Sequence, residues 1–254
     1  MNNDRFYERL QELKVDGTKV SVMQDSIDIS IMPSYYKISK KIKKELDDDY
    51  DYLSDVYKLY DPETDVETKQ KLLCSLASFE KPEYFNALKK FKDFAPAELK
   101  DWAIVATQES KMFLETALLD TQTLYISTGL GGKEEALRFF IVLFHTDEQP
   151  FSDSQKQLIE KEFAFSFGKE TGEIEEIVFE KSYVKIVSLL PFEKHIYTLV
   201  KDIVEECNNY GNFIKSKLLV TNVKKLSNEE IELLYKKIDS DESGEIEYGI
   251  EIPE

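Results

Sequence analysis

The stretch whose residue types and spacing address chemistry most directly is Asp239–Glu247, which reads D-S-D-E-S-G-E-I-E. Asp239, Asp241, Ser243, Glu245 and Glu247 set an oxygen-bearing side chain at every second position, and Gly244 among them is free to make a sharp bend. Hard cations such as calcium take about six to eight oxygens at short range, and short acidic side chains alternating around a glycine supply several of them from one loop. The same residues also fit a solvated acidic tail whose charges repel one another.

That order resembles the front of an EF-hand calcium loop. Asp239, Asp241 and Ser243 match the first three side-chain ligands, Gly244 the bend, Glu245 the carbonyl donor, Ile246 the apolar position and Glu247 the next ligand. The resemblance implies a calcium site and covers Asp239–Glu247 alone. Where the loop calls for a bidentate glutamate the chain has Ile250, and Glu251 arrives one residue late. Weak calcium binding is therefore the expectation, and calcium is the one cofactor the sequence suggests.

A second candidate is Ser127–Glu135, S-T-G-L-G-G-K-E-E, because glycines beside a lysine can offer backbone amides to a phosphate. A P-loop runs from a strand into a helix and follows its lysine with Ser or Thr, whereas Glu134 follows Lys133 and strand-like residues lie on both sides. A hairpin turn accounts for Gly129, Gly131 and Gly132 more simply. His145 is expected just beyond a strand and His195 in the first turn of a helix. Two histidines and two distant cysteines make no zinc spacing, and no catalytic residue is assigned. The pairs Asp147/Glu148 and Glu175/Glu176 read as surface charge, because neighbours on a strand point to opposite faces. Cys74 and Cys207 fall in helix-patterned segments, as small buried apolar groups do, and suit a reducing compartment.

The 254 residues carry 50 acidic against 33 basic side chains, a formal charge of −17, which repels nucleic acid and anionic lipid and favours a protein partner with a basic surface. Abundant aromatics, 16 Phe and 14 Tyr, indicate a folded chain. The start, MNNDRFYERLQELK, lacks the basic and apolar regions of a secretory signal, and no apolar run is long enough to span a bilayer, so a cytoplasmic protein is expected.

The elements that would carry these residues follow from periodicity. Phe6, Leu10 and Leu13 recur at helical spacing. Val20 and Val22, then Ile27, Ile29 and Ile31, alternate like a short two-stranded excursion ended by Pro33. Helices then follow: one along Ile38, Ile42 and Leu46 with Lys37, Lys40, Lys41 and Lys44 on its solvated face, one after a capping box of Thr64 and Glu67, and others at Pro82 and Pro96. Pro96–Gln108, with Leu99, Trp102, Ala103 and Ala106 on one face, resembles the second helix of a HEAT repeat, and Pro82–Phe94 its partner; the likeness covers about one repeat.

After Asp120 the period changes to two. Leu124–Thr128, Arg138–Phe144, Glu173–Glu180, Ser182–Leu190 and Lys215–Val223 read as strands. Helices are expected after the capping box Ser152/Gln155, stopping at Gly168, and along Ile196, Leu199, Val200, Ile203, Val204 and Cys207, stopping at Gly211. From Arg138 to Val223 the order is β-α-β-β-α-β, which resembles a ferredoxin-like sandwich with both helices on one sheet face; Leu124–Thr128 is placed as an extension of that sheet. Ser227 and Glu230 begin a last helix, with Leu226 and Ile231 as its hydrophobic staple, running to about Ile238.

The class is therefore α+β, with a helical domain over 1–120, a ferredoxin-like domain over 121–226, and a C-terminal helix with acidic tail over 227–254. The expected function is a cytoplasmic protein-binding or regulatory module. The alternatives are a calcium-responsive module and an enzyme with a pocket between the halves near Gly129–Lys133 and His145.

Overall fold

The computed structural model describes residues 19–119 and 123–240, and the fold is α+β. The described residues divide into two compact units: a helical unit holding 27–119 and 123–126 with 19–21, and a sheet unit holding 127–240 with 22–26. Phe6, Leu10 and Leu13 lie outside the described residues.

Among the described residues, four main helices build the helical unit: α1 (Met32–Glu45), α2 (Val66–Ala77), α3 (Pro82–Phe94) and α4 (Ala97–Leu119). Met32, Tyr35 and Ser39 form the buried stripe of α1, leaving Lys37, Lys40, Lys41 and Lys44 exposed. Asp65, one residue after the expected Thr64, caps α2: its carboxylate accepts the Thr68 N–H at 2.9 Å, while Thr64 Oγ1 turns back to Asp61. Pro82 opens α3, whose Tyr84, Leu88 and Phe91 are buried at helical spacing. α4 packs against both α2 and α3, so Leu99, Trp102, Ala103 and Ala106 are all buried, as their spacing predicts.

The two-stranded sheet exists, but its partner strand is distant in sequence. β1 (Lys19–Val22) pairs with β2 (Thr123–Ile126), while Ile29–Ile31 forms a 3₁₀ turn and Pro33 sits in the first turn of α1. Leu124–Ile126 is thus not part of the larger sheet, because its backbone groups are taken by β1.

In the sheet unit β3 (Gly132–Lys133) turns directly into β4 (Ala136–His145), followed by α5 (Asp153–Lys169), β5 (Glu173–Phe179), β6 (Tyr183–Pro191), α6 (Ile196–Asn208), β7 (Ile214–Thr221) and α7 (Asn228–Ser240). β4 lies between β6 and β7, and β5 pairs with the far side of β6; every pairing is antiparallel. The short β3 shares β4's edge with β7, so the fifth strand comes from the glycine segment itself.

Strand alternation divides the core. Phe140, Val142 and Phe144 of β4 join Tyr183, Val187, Leu219 and Leu130 beneath Ile231 of α7, with Leu234 and Tyr235 packed on the cluster. Phe139, Ile141 and Leu143 point the other way, to the face left for α5 and α6. Ile159, Phe163 and Phe167 of α5 and Ile196, Val200, Ile203, Val204 and Cys207 of α6 are buried there. The C-terminal helix is therefore a layer of the sheet unit. Both capping boxes are made: Ser152 exchanges bonds with Gln155, and Ser227 with Glu230. Gly168 stays helical, and the left-handed residue after α5 is Thr171, at φ 57°. No helix among the described residues is long and apolar enough to cross a membrane.

Candidate functional site

Two surfaces combine side chains of the kinds that bind partners, one in each unit. In the helical unit the loop from α1 to α2, Asp47–Asp65, carries seven Asp and one Glu against a single cation, Lys58. Its backbone is shaped by those acids. Asp47, Asp51 and Asp61 each accept the N–H two residues on, at 3.0 Å, which folds the segment into successive turns.

The loop is pinned from beneath by aromatic packing. Leu59 is buried, the Tyr52 N–H donates to Tyr84 Oη at 3.2 Å, Tyr52 packs on Phe79 at 5.5 Å, and Tyr60 meets Phe91 edge-on at 5.4 Å. Yet Tyr50, Tyr57 and Tyr60 remain 43%, 64% and 46% exposed. Tyr50 Oη donates to Asp55 at 3.0 Å, and Lys58 pairs with the same carboxylate at 2.7 Å. The Lys58 ammonium, with Tyr50 adding a weaker hydrogen bond, holds Asp55 below the usual carboxylate range. What results is a fixed surface of half-exposed phenol rings interleaved with carboxylates.

In the sheet unit a groove of about 560 Å³ opens where α7 crosses the end of β4. Phe144, Tyr183, Ile231 and Tyr235 give it apolar and aromatic walls; His145, Glu148, Ser182, Glu232 and Lys236 supply the polar groups. Tyr235 stacks obliquely on Phe144 at 4.6 Å, accepts from the Lys215 ammonium and donates to Glu148 at 3.1 Å. Lys215 also pairs with Glu148 at 3.5 Å. Glu148 sits at φ 55°, a left-handed conformation costing a residue with a β-carbon about 1 kcal/mol, and these two bonds hold its carboxylate at the groove wall.

His145 is the last residue of β4 and is 6% exposed. Its Nδ1 accepts the Asp147 N–H at 3.1 Å, so the neutral ring carries its proton on Nε2. Burial by the aromatic cluster raises the Tyr183 phenol, and the charges of Glu180, Glu232 and Glu229 add to the shift.

The other sequence candidates are dispersed. Asp239 lies in the last turn of α7, and Asp241, Ser243, Glu245 and Glu247 lie outside the described residues. Among the described residues no three His, Cys, Asp or Glu side chains are placed to hold a metal. The hairpin turn between β3 and β4 is made by Glu134 and Glu135, with Glu134 at φ 54°, so the glycines do not form it as expected; they pack in the tight Thr128–Gly131 turn before β3 and in β3 itself. A β-carbon on Gly129 would stand 1.7 Å from the Val223 carbonyl oxygen, and Gly131 has φ +66°. Arg138 donates to the Leu130 carbonyl at 2.9 Å and is forked onto Glu175 at 2.5 and 2.8 Å. The groove at His145 does not include Gly129–Lys133.

Glu175 and Glu176 correct the expectation of opposite faces. The register of β5 slips between Ile174 and Glu176, and this bulge lets consecutive glutamates both find cations, Arg138 and Lys225. His195 is the N-cap of α6 and lies outside the groove. Compared with known proteins, the chain matches no family model and no curated relative.

Proposed function

We propose that the chain is a cytoplasmic protein-binding module whose contact surface is the acidic, tyrosine-bearing loop Asp47–Asp65, and that its partner presents a basic segment. The observation that carries this reading is the exposure of Tyr50, Tyr57 and Tyr60 on a loop with eight carboxylates and one lysine. Tyrosine gives large contact area for little side-chain entropy, and its ring face attracts Arg and Lys; surrounding carboxylates add long-range attraction. The overall charge of −17 acts in the same sense.

The scaffold supports the reading by analogy. The order β7-β4-β6-β5, with helices crossing between β4 and β5 and between β6 and β7, favours a ferredoxin-like sandwich extended by α7. The contact between the consecutive helices α3 and α4, joined by a two-residue link, favours a HEAT-like hairpin, and both architectures commonly present binding surfaces. Affinity capture with the native chain and with Tyr57→Ser/Tyr60→Ser, in low and high salt, tests the proposal. A salt-sensitive partner retained by the native chain and lost by the variant is expected; identical capture by both would refute it.

A further inference from the structure

The groove under α7 asks for a different ligand from the acidic loop. Core packing accounts for Phe144, Tyr183 and Ile231, which belong to the cluster beneath α7. It does not account for the polar groups on the walls. His145 lines the groove but is buried, with Nδ1 accepting from the Asp147 N–H and its ring packed edge-on against Phe151 at 5.0 Å. Ser182 adds a hydroxyl. Glu148 already has partners in Tyr235 and Lys215.

Glu232 and Lys236 are one helical turn apart and both line the groove, yet neither forms an ion pair among the described residues. At this spacing Glu and Lys can pair along the helix for a few tenths of a kcal/mol. The groove thus presents one carboxylate and one ammonium outside any ion pair, beside aromatic walls. A cation would meet Glu232 alone and an anion Lys236 alone, whereas a zwitterion meets both at once. The volume, about 560 Å³, is in the range that encloses a small organic molecule.

We infer that this groove binds a small zwitterion with an aromatic body, of the class of the aromatic amino acids. The ring lies against Tyr235, the ligand ammonium meets Glu232, and the ligand carboxylate meets Lys236.

The test uses the full chain, with L-tryptophan as probe and tryptamine and indole-3-propionate as arms lacking one charge each, followed by calorimetry and by chemical-shift changes at Phe144, His145 and Tyr235. Saturable tryptophan binding that is tighter than that of either analogue is expected. Glu232→Gln should weaken tryptophan and tryptamine about tenfold and leave indole-3-propionate unchanged, and Lys236→Gln should weaken tryptophan and indole-3-propionate and leave tryptamine unchanged. Both positions are exposed, so these variants keep the fold. No saturable binding by any probe at millimolar concentration, equal affinity for all three, or insensitivity to both substitutions would overturn the inference.

Discussion

Removing the Glu109 carboxylate should destabilise the helical unit far more than removing an ordinary surface charge, and the structure says by how much. Its side chain is 10% exposed and accepts from Tyr35 Oη at 2.6 Å, Lys43 Nζ at 2.7 Å and Ser39 Oγ at 3.4 Å. Tyr35 is fully buried, and burial, then the Glu109 charge, raises its phenol well above the ordinary range, so the proton stays on the ring and needs an acceptor. In Glu109→Ala that donor is stranded, at about 1–3 kcal/mol, and the lost bond from buried Ser39 adds about 0.5–1 kcal/mol. Lys43, more than a third exposed, regains water and contributes little.

The sum is about 2–4 kcal/mol, or about 10–20 °C in the melting of a unit of this size. The decisive comparison adds Tyr35→Phe. Alone it should cost about 1–2 kcal/mol, but in the Glu109→Ala background it should cost nearly nothing, because the stranded hydroxyl is gone. Denaturant melts of the four chains read the coupling directly. Additivity within about 0.5 kcal/mol would show that the Tyr35 hydroxyl does not depend on Glu109.

Burial pushes the Cys74 and Cys207 thiols up to about 12, so at pH 8 neither should react with a disulfide reagent in the native chain and both should react after denaturation; prompt native labelling contradicts this. The Arg138 guanidinium holds the Glu175 carboxyl below the usual glutamate range. Its stabilisation is therefore present above about pH 4.5 and is lost as pH falls through the lowered folded value, so Glu175→Gln should flatten the acid limb of sheet-unit stability; an unchanged limb counts against the pair. If Asp239–Glu247 is a calcium site with millimolar affinity, tenfold that concentration raises stability by about 1.4 kcal/mol, and Asp241→Asn removes the gain. Superimposable melts in calcium and EDTA end that expectation.

Local signals were the legible part of this sequence. Ile196, Val200, Ile203, Val204 and Cys207 are the buried stripe of α6, and the Ser152 and Ser227 boxes mark helix starts, because each involves residues within a turn or two. Competition between adjacent oxygens hid the cap of α2, where Asp65 displaced Thr64. Pairing across the chain was not legible. Nothing local tells Val20 that its strand partner begins at Thr123, and nothing around Glu109 announces Tyr35 and Lys43, more than sixty residues away. The groove was missed for the same reason: β4, β6 and α7 bring Phe144, Tyr183 and Tyr235 together only on folding. The acidic loop was visible as D-D-D-Y-D, but its exposed rings were not, since only the aromatic layer of Phe79, Tyr84 and Phe91 decides which tyrosines turn outward.

On the proposed reading, Asp47–Asp65 recognises a basic segment through its rings as well as its charge. Fluorescence anisotropy of a labelled Lys/Arg-rich peptide, titrated with the native chain, Tyr57→Ser/Tyr60→Ser and the charge control Glu160→Lys on α5, measures it. The tyrosine variant, whose charge is unchanged, should lose about tenfold or more in affinity while Glu160→Lys loses little. Equal affinity for the native chain and the tyrosine variant, with the larger loss in Glu160→Lys, would contradict it.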